Sequence, residues 1–203
     1  MTKRILDEVY ETGGRRSGVD LYDAWADSYD AELQSAAYAT PARLAAALAA
    51  TDTSTETRIL DVGCGTGLSG QALVAQGFTL IDGADLSAQM LAQAEAKQIY
   101  GRLWQIEAGA PLPVGPGDYG VIAAAGVVSP RVAPAELLGE MAGLLEAGGR
   151  LAFSFSDHAL SDEAYMDALR ALPERGFACR FEEYGDHLPD KGVKSTVYVF
   201  DKA

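Results

Sequence analysis

Asp61, Gly63, Gly65 and Gly67 alternate within ILDVGCGTGLSG, residues 59–70, a spacing that suits ligand binding by the main chain. Glycine allows φ > 0 and lets a ligand approach the backbone closely. The pattern turns helical from Leu68, and the first amides of such a helix face any polar or anionic group placed before them. A second acid, Asp85, stands 22 positions past Gly63 in IDGADLSAQML. Two phosphate-binding patterns fit poorly. The dinucleotide fingerprint needs a third glycine where Leu68 stands, and the phosphate loop needs a lysine beside a glycine, which this segment lacks.

The chain has two histidines, His158 and His187. An imidazole can take a proton from an attacking hydroxyl or amine, and His158 follows an apolar strand pattern on the side where chemistry is expected. Its plainer reading is a surface-loop histidine. His187 falls in the expected connection of a terminal hairpin, from which it could reach over a cleft. Two histidines without acids at ligand spacing make no metal site. Cys64 has no histidine pattern around it and reads as a small member of the glycine turn, not a nucleophile. Tyr22, Trp25 and Tyr29 share one helical face, as core aromatics or as the wall of a cleft.

The elements that must position these residues follow from periodicity. A helix is expected from about Asp20, and a second from Thr40, with the Thr40 side chain as cap and Pro41 in its first turn. Residues 51–57 read as a connector. Strands are expected at 58–62, 78–81, 103–106, 119–125 and 150–155, alternating with helices at 68–76, after Ser87, over 137–145 and after a Ser161 cap. Gly77 should end the first of these helices. The segment 110–118 carries three prolines and two glycines and cannot be regular. Two further strands, 177–184 and 195–200, read as a hairpin with a wide loop containing Asp186 and His187. Such alternation implies an α/β fold, with a mostly parallel sheet, helices on both faces and one antiparallel strand. Ligands in such sheets bind beyond the carboxyl ends of the strands.

Composition bounds the function. With 203 residues, 48% of them apolar, the chain can bury a core without metal or disulfide. Sixteen basic against 29 acidic residues give a formal charge of −13, which repels nucleic-acid backbones and anionic membranes. Two cysteines make no disulfide framework and suit a reducing cytoplasm. The first fourteen residues carry Asp7, Glu8 and Glu11 where a signal peptide needs an apolar core. No apolar run approaches membrane-spanning length.

The glycine turn resembles that of class I S-adenosylmethionine-dependent methyltransferases, in which DxGxGxG wraps the amino-acid half of the cofactor. The segment around Asp85 resembles that family's second-strand end, where an acid holds both ribose hydroxyls. LLEAGGRLAFSF, residues 144–155, resembles its turn into strand five, with Ala147 in place of the usual proline. LYDAWADSYDAEL, residues 21–33, is similar to small methyltransferases related to the Williams–Beuren region methyltransferase-like protein, in which this helix forms part of a lid.

The resemblance implies a Rossmann-like seven-stranded sheet and two regions. Residues 1–50 form an N-terminal helical cap packed on the same domain, and 51–203 the catalytic domain. It also implies a cofactor site built from Asp61, Gly63, Cys64, Gly65, Gly67, Asp85, Leu86, Met90, Tyr29 and an adenine partner at Glu107, the register leaving Ala108 equally near. Asp61 either touches the cofactor or buttresses the loop. His158 and Tyr22 are the candidates for handling the acceptor. The implied reaction is in-line methyl transfer to a small molecule, leaving S-adenosylhomocysteine. The alternatives are a cofactor-binding regulatory or scaffold protein without transfer, and modification of nucleic acid or protein. Acceptor identity and oligomeric state are left open.

Overall fold

The computed structural model describes Leu6, residues 19–130 and residues 132–203. Apart from Leu6, the reading of the first fourteen residues lies outside them. Seven strands form one sheet: β1 (Ile59–Val62), β2 (Ile81–Asp85), β3 (Leu103–Gln105), β4 (Val121–Ala124), β5 (Arg150–Ser156), β6 (Phe177–Leu188) and β7 (Val193–Lys202). Their order is β3-β2-β1-β4-β5-β7-β6. β1 to β5 pair in parallel, and β7 runs antiparallel to both β5 and β6. The expected α/β architecture is therefore present, with its single antiparallel strand.

β1 and β4 are buried along their whole length, as strands covered on both faces must be. Their apolar residues supply the two cores. On one face Leu60, Ile122, Leu151 and Phe153 pack with Leu138 and Met141 of a helix at Glu136–Gly143. On the other, Ile59, Val121 and Ala152 pack with Leu44 and Leu48 of Thr40–Ala50 and Leu73 of Leu68–Ala75. From residue 19 onward the described α-helices are α1 (Val19–Ser35), α2 (Thr40–Ala50), α3 (Leu68–Ala75), α4 (Ala88–Ala96), α5 (Glu136–Gly143), α6 (Asp157–Leu160) and α7 (Glu163–Arg170).

The structure corrects several local expectations. The second strand is Ile81–Asp85, not 78–81. Phe78 belongs instead to the end of α3: its N–H donates to Leu73 O, and that of Gly77, at φ +92°, donates to Val74 O. This pair of bonds closes a helix on a left-handed glycine and packs the next residue back onto it. Phe78 and Leu73 are both buried, so the apolar pattern there reports a helix end. The Thr40 hydroxyl does not cap α2; it lies 2.7 Å from His187 Nδ1. Asp162, not Ser161, caps α7 by accepting from Ala164 N. Asp186 and His187 lie inside β6, because the hairpin closes through only a short turn at Pro189–Lys191.

Helix α1 lies against the carboxyl end of the sheet. Trp25, Ala26 and Leu33 pack with Met90 of α4 and Leu188 of β6. Its acids face the glycine turn and α4. Asp23 accepts from Ser87 Oγ at 2.5 Å, and Asp30 accepts from Thr66 Oγ1 at 2.5 Å and pairs with Lys97 at 2.6 Å. Asp23 and Asp30 thus tie α1 to the glycine turn and to α4. Among the described residues no helix is long and apolar enough to cross a membrane.

Candidate active site

The strand order reverses between β1 and β4, so the loops leaving their carboxyl ends diverge and open a crevice. A cavity of about 500 Å³ fills it. Its floor is Gly63 and Gly65 after β1, one side is Asp85 and Leu86 at the end of β2, and Ile106 to Ala108 continue from β3. Ala125 to Val127 after β4 form the facing side, and Tyr22, Tyr29 and Met90 close it from α1 and α4. Nine of the residues singled out in the sequence therefore meet around one cavity: Tyr22, Tyr29, Gly63, Gly65, Asp85, Leu86, Met90, Glu107 and Ala108. Asp61, Cys64 and Gly67 do not line it.

The turn is anchored by main-chain bonds. The amides of Gly63 and Cys64 both donate to Ala84 O of β2, at 2.7 and 3.1 Å. Asp85 joins the turn to α4, accepting from Gly65 N at 2.8 Å and Ser87 N at 2.9 Å. Two of the roughly four lone-pair positions of the carboxylate are used this way, leaving capacity for further donors. Burial raises the Asp85 carboxyl above the usual range, and the bonds from Ser87 and Gly65 hold it back.

Asp61 lies beneath the turn, fully buried. One of its oxygens accepts from Ser69 Oγ at 2.6 Å and Tyr100 Oη at 2.7 Å; the other, Oδ1, has no partner among the described residues. Burial pushes its carboxyl up to about 6. Tyr100 also accepts from Gly70 N at 3.2 Å, bracing the start of α3. Sequence reading missed Tyr100, since nothing near it in the chain marks the contact.

A second cavity, of about 100 Å³, adjoins the first beside α1 and shares Tyr22, Tyr29, Gly126 and Val132 with it. His158 and His187 line it, with Trp25, Tyr38 and Ser156. His158 sits on the short helix α6 and is exposed. His187 is buried; its carbonyl accepts from Ala39 N at 3.0 Å, and its ring meets Tyr38 edge-on. Burial pulls the His187 imidazole down to about 4, so it is uncharged at neutral pH. Burial, with Asp85 nearby, pushes the Tyr22 phenol well above its ordinary value. Tyr22 is therefore a hydrogen-bond donor at neutral pH and cannot serve as a phenolate base. Burial likewise raises the Cys64 thiol, so it does not supply a thiolate. Both cysteines are free. Among the described residues no cluster of histidine, cysteine and acid side chains could hold a metal ion.

The residues fit the amino-acid and nucleoside halves of S-adenosylmethionine. The unpartnered Asp61 Oδ1 suits a cationic amino group. A Cβ built on Gly65 would meet nothing within 4 Å, so the main chain is open to a ligand there.

Comparison with known proteins agrees. A methyltransferase domain family matches residues 59–149. Human methyltransferase-like protein 27 is 33% identical over 159 residues, covering 76% of this chain; the chain spans 64% of that relative's length. A TehB-like S-adenosylmethionine-dependent methyltransferase from Corynebacterium glutamicum superposes with a TM-score of 0.62 at 20% identity, over 89% of this chain and 99% of that one. Magnesium protoporphyrin IX methyltransferase from Synechocystis, with bound S-adenosylhomocysteine, gives 0.61 at 16% identity, over 98% and 93%. The glycine turn and its acids and the strand order give this chain the fold of class I S-adenosylmethionine-dependent methyltransferases, and residues 59–149 belong to the methyltransferase domain family.

Proposed function

We propose that the protein transfers the methyl group of S-adenosylmethionine to a small molecule. The observation that carries this is the pair of adjoining cavities, one at the glycine turn and one enclosed by α1, β5 and β6. A net charge of −13 disfavours a nucleic-acid acceptor. When bound, the cofactor supplies an electrophilic methyl carbon, to which the acceptor's lone pair bonds as the carbon–sulfur pair returns to sulfur.

Asp85 receives the ribose hydroxyls, and Asp61 Oδ1 the amino group. Glu107, exposed at the cavity edge, faces the base. The phenol of Tyr22 donates, and the lid excludes water from the developing charge, which strengthens local electrostatics. His158 accepts the proton of a hydroxyl or amine acceptor and, being exposed, can pass it to solvent. Unpaired cysteines fit a reducing, cytoplasmic setting.

Calorimetry with S-adenosylhomocysteine, NAD and ATP tests the reading, followed by product formation from pools of small hydroxyl, amine and thiol compounds. One S-adenosylhomocysteine per chain, and turnover on at least one pool, is expected. Binding of NAD without S-adenosylhomocysteine would overturn the cofactor reading. Binding without any turnover would favour the regulatory alternative.

Asp61 also gives a pH dependence. Its folded-state value lies above its unfolded one, so its contribution to stability is present below about pH 4 and is lost as pH rises through about 6. A cationic amino group reverses that preference, because it favours the carboxylate. Affinity for S-adenosylhomocysteine should therefore fall as pH drops through 6, by about fourfold from pH 7.5 to 5.5. Asp61→Asn should bind more weakly at neutral pH and lose this slope. A wild-type affinity that does not change over this window removes Asp61 from contact with the amino group.

A further inference from the structure

Two residues that line the smaller cavity each carry a buried polar atom that the protein leaves unsatisfied. Trp25 is 2% exposed and Ser156 is 7% exposed, and both line it. Neither Trp25 Nε1 nor Ser156 Oγ has a hydrogen-bond partner among the described residues. Leaving a buried donor unpaired costs about 1–3 kcal/mol, so native proteins rarely leave two on one wall without an occupant.

The rest of the wall limits what that occupant can be. Tyr22 and Tyr29 flank Trp25, with ring centroids 6.1 and 4.6 Å from it. Three aromatic side chains on one cavity wall favour a flat, apolar-bodied molecule that can pack against rings. Among the described lining residues there is no Asp, Glu, Lys or Arg. A charged group would lose its hydration there without a counter-charge, a large penalty. His187, held uncharged by burial, agrees. A volume of about 100 Å³ is smaller than the roughly 150 Å³ of a cavity known to hold benzene, so it takes a single small ring or the end of a larger one.

The fold brings these groups together from far apart. β5 and β7 pair Ser156 with Ser195, whose hydroxyl lies 3.0 Å from Thr40 Oγ1. That places Ser156 beside the His187–Thr40 contact, while α1 carries Trp25 over it.

We propose that this cavity is the acceptor subsite and that it selects a compact, uncharged, planar acceptor whose edge carries hydrogen-bond-accepting atoms, such as a ring carbonyl or ring nitrogen. Trp25 Nε1 and Ser156 Oγ donate to that edge. The nucleophilic atom then points toward the larger cavity through the opening at Tyr22, Tyr29 and Gly126. The proposal rests on the methyl-transfer reading and adds the class of acceptor to it.

The chain has two tryptophans, Trp25 and Trp104, so ¹⁵N-labelled protein shows two indole N–H signals, assigned with Trp25→Phe. With S-adenosylhomocysteine bound, the probes are 2-pyridone, benzoate, benzylammonium and benzene. 2-Pyridone should shift the Trp25 signal, leave that of Trp104 in place and bind more tightly than the other three. Ser156→Ala should weaken 2-pyridone about fivefold, the loss of one neutral hydrogen bond, without changing S-adenosylhomocysteine affinity. No shift at Trp25, an equal or larger response to a charged probe or to benzene, or no effect of Ser156→Ala overturns the proposal. Each of those results leaves cofactor binding intact and so leaves the methyl-transfer reading standing. Failure to bind S-adenosylhomocysteine removes both.

Discussion

Asp85→Asn should weaken S-adenosylhomocysteine binding by about 100-fold, the largest loss expected from a single polar change. Bonds to a charged acceptor contribute about 1.5–3 kcal/mol each, and the proposed role of Asp85 gives it two ribose hydroxyls to receive. The structure also shapes the choice of variant. Asp85 accepts from Gly65 N and Ser87 N, so alanine would strand two amides and confuse a binding defect with a folding defect. Asparagine keeps one carbonyl oxygen and the side-chain volume. A loss of about 1–2 kcal/mol in stability is expected from the bond that asparagine cannot replace. Calorimetry and a thermal midpoint measured on the same sample separate the two effects. Unchanged affinity would remove Asp85 from the site, whatever the stability did.

Gly65→Val should reduce cofactor affinity by more than about 100-fold, while costing roughly 1–2 kcal/mol of stability for a side chain in the left-handed region. Gly65 has φ +54°, and a Cβ there would meet no protein atom within 4 Å. The added side chain therefore occupies space that belongs to the ligand. Gly63 makes the contrast. Its Cβ would lie 2.4 Å from Val127 Cγ2, so Gly63→Ala should lower stability before any ligand is added. Denaturation and calorimetry on both variants test the division. A Gly65→Val protein that unfolds outright, or one that binds normally, would show that openness at Gly65 does not serve the ligand.

Gly63, Gly65 and Gly67 read alike in the sequence, yet the structure gives them different neighbours. Gly63 packs on Val127, Gly65 faces the cavity, and a Cβ on Gly67 would touch Tyr100. Spacing reports that a tight turn is required, but not what stands opposite each residue. The same limit explains Asp61. Its place at the end of a strand is legible locally, whereas its partners Ser69 and Tyr100 come from α3 and from the segment after α4. The hairpin shows a related limit: the pattern predicts a strand ending at 184, whereas β6 runs on through exposed polar residues to Leu188.

Legible along the chain are the strand, glycine turn and helix at Ile59 to Ala75, the acids at the ends of β1 and β2, the N-terminal helices and the mostly parallel sheet. These are encoded over short spans, through side-chain period, turn residues and caps, and neighbouring residues suffice to express them. Tertiary packing alone turns Asp61 under the loop, ties Gly65 to α4 through Asp85, and brings Trp25, Ser156 and His158 to one cavity. It also decided that His187 is locked against Thr40, a residue 147 positions away. Those relations depend on which strand ends and helix faces meet after the sheet is ordered. No local pattern carries that information, because the energy that selects it comes from burial and pairing between segments distant in the chain.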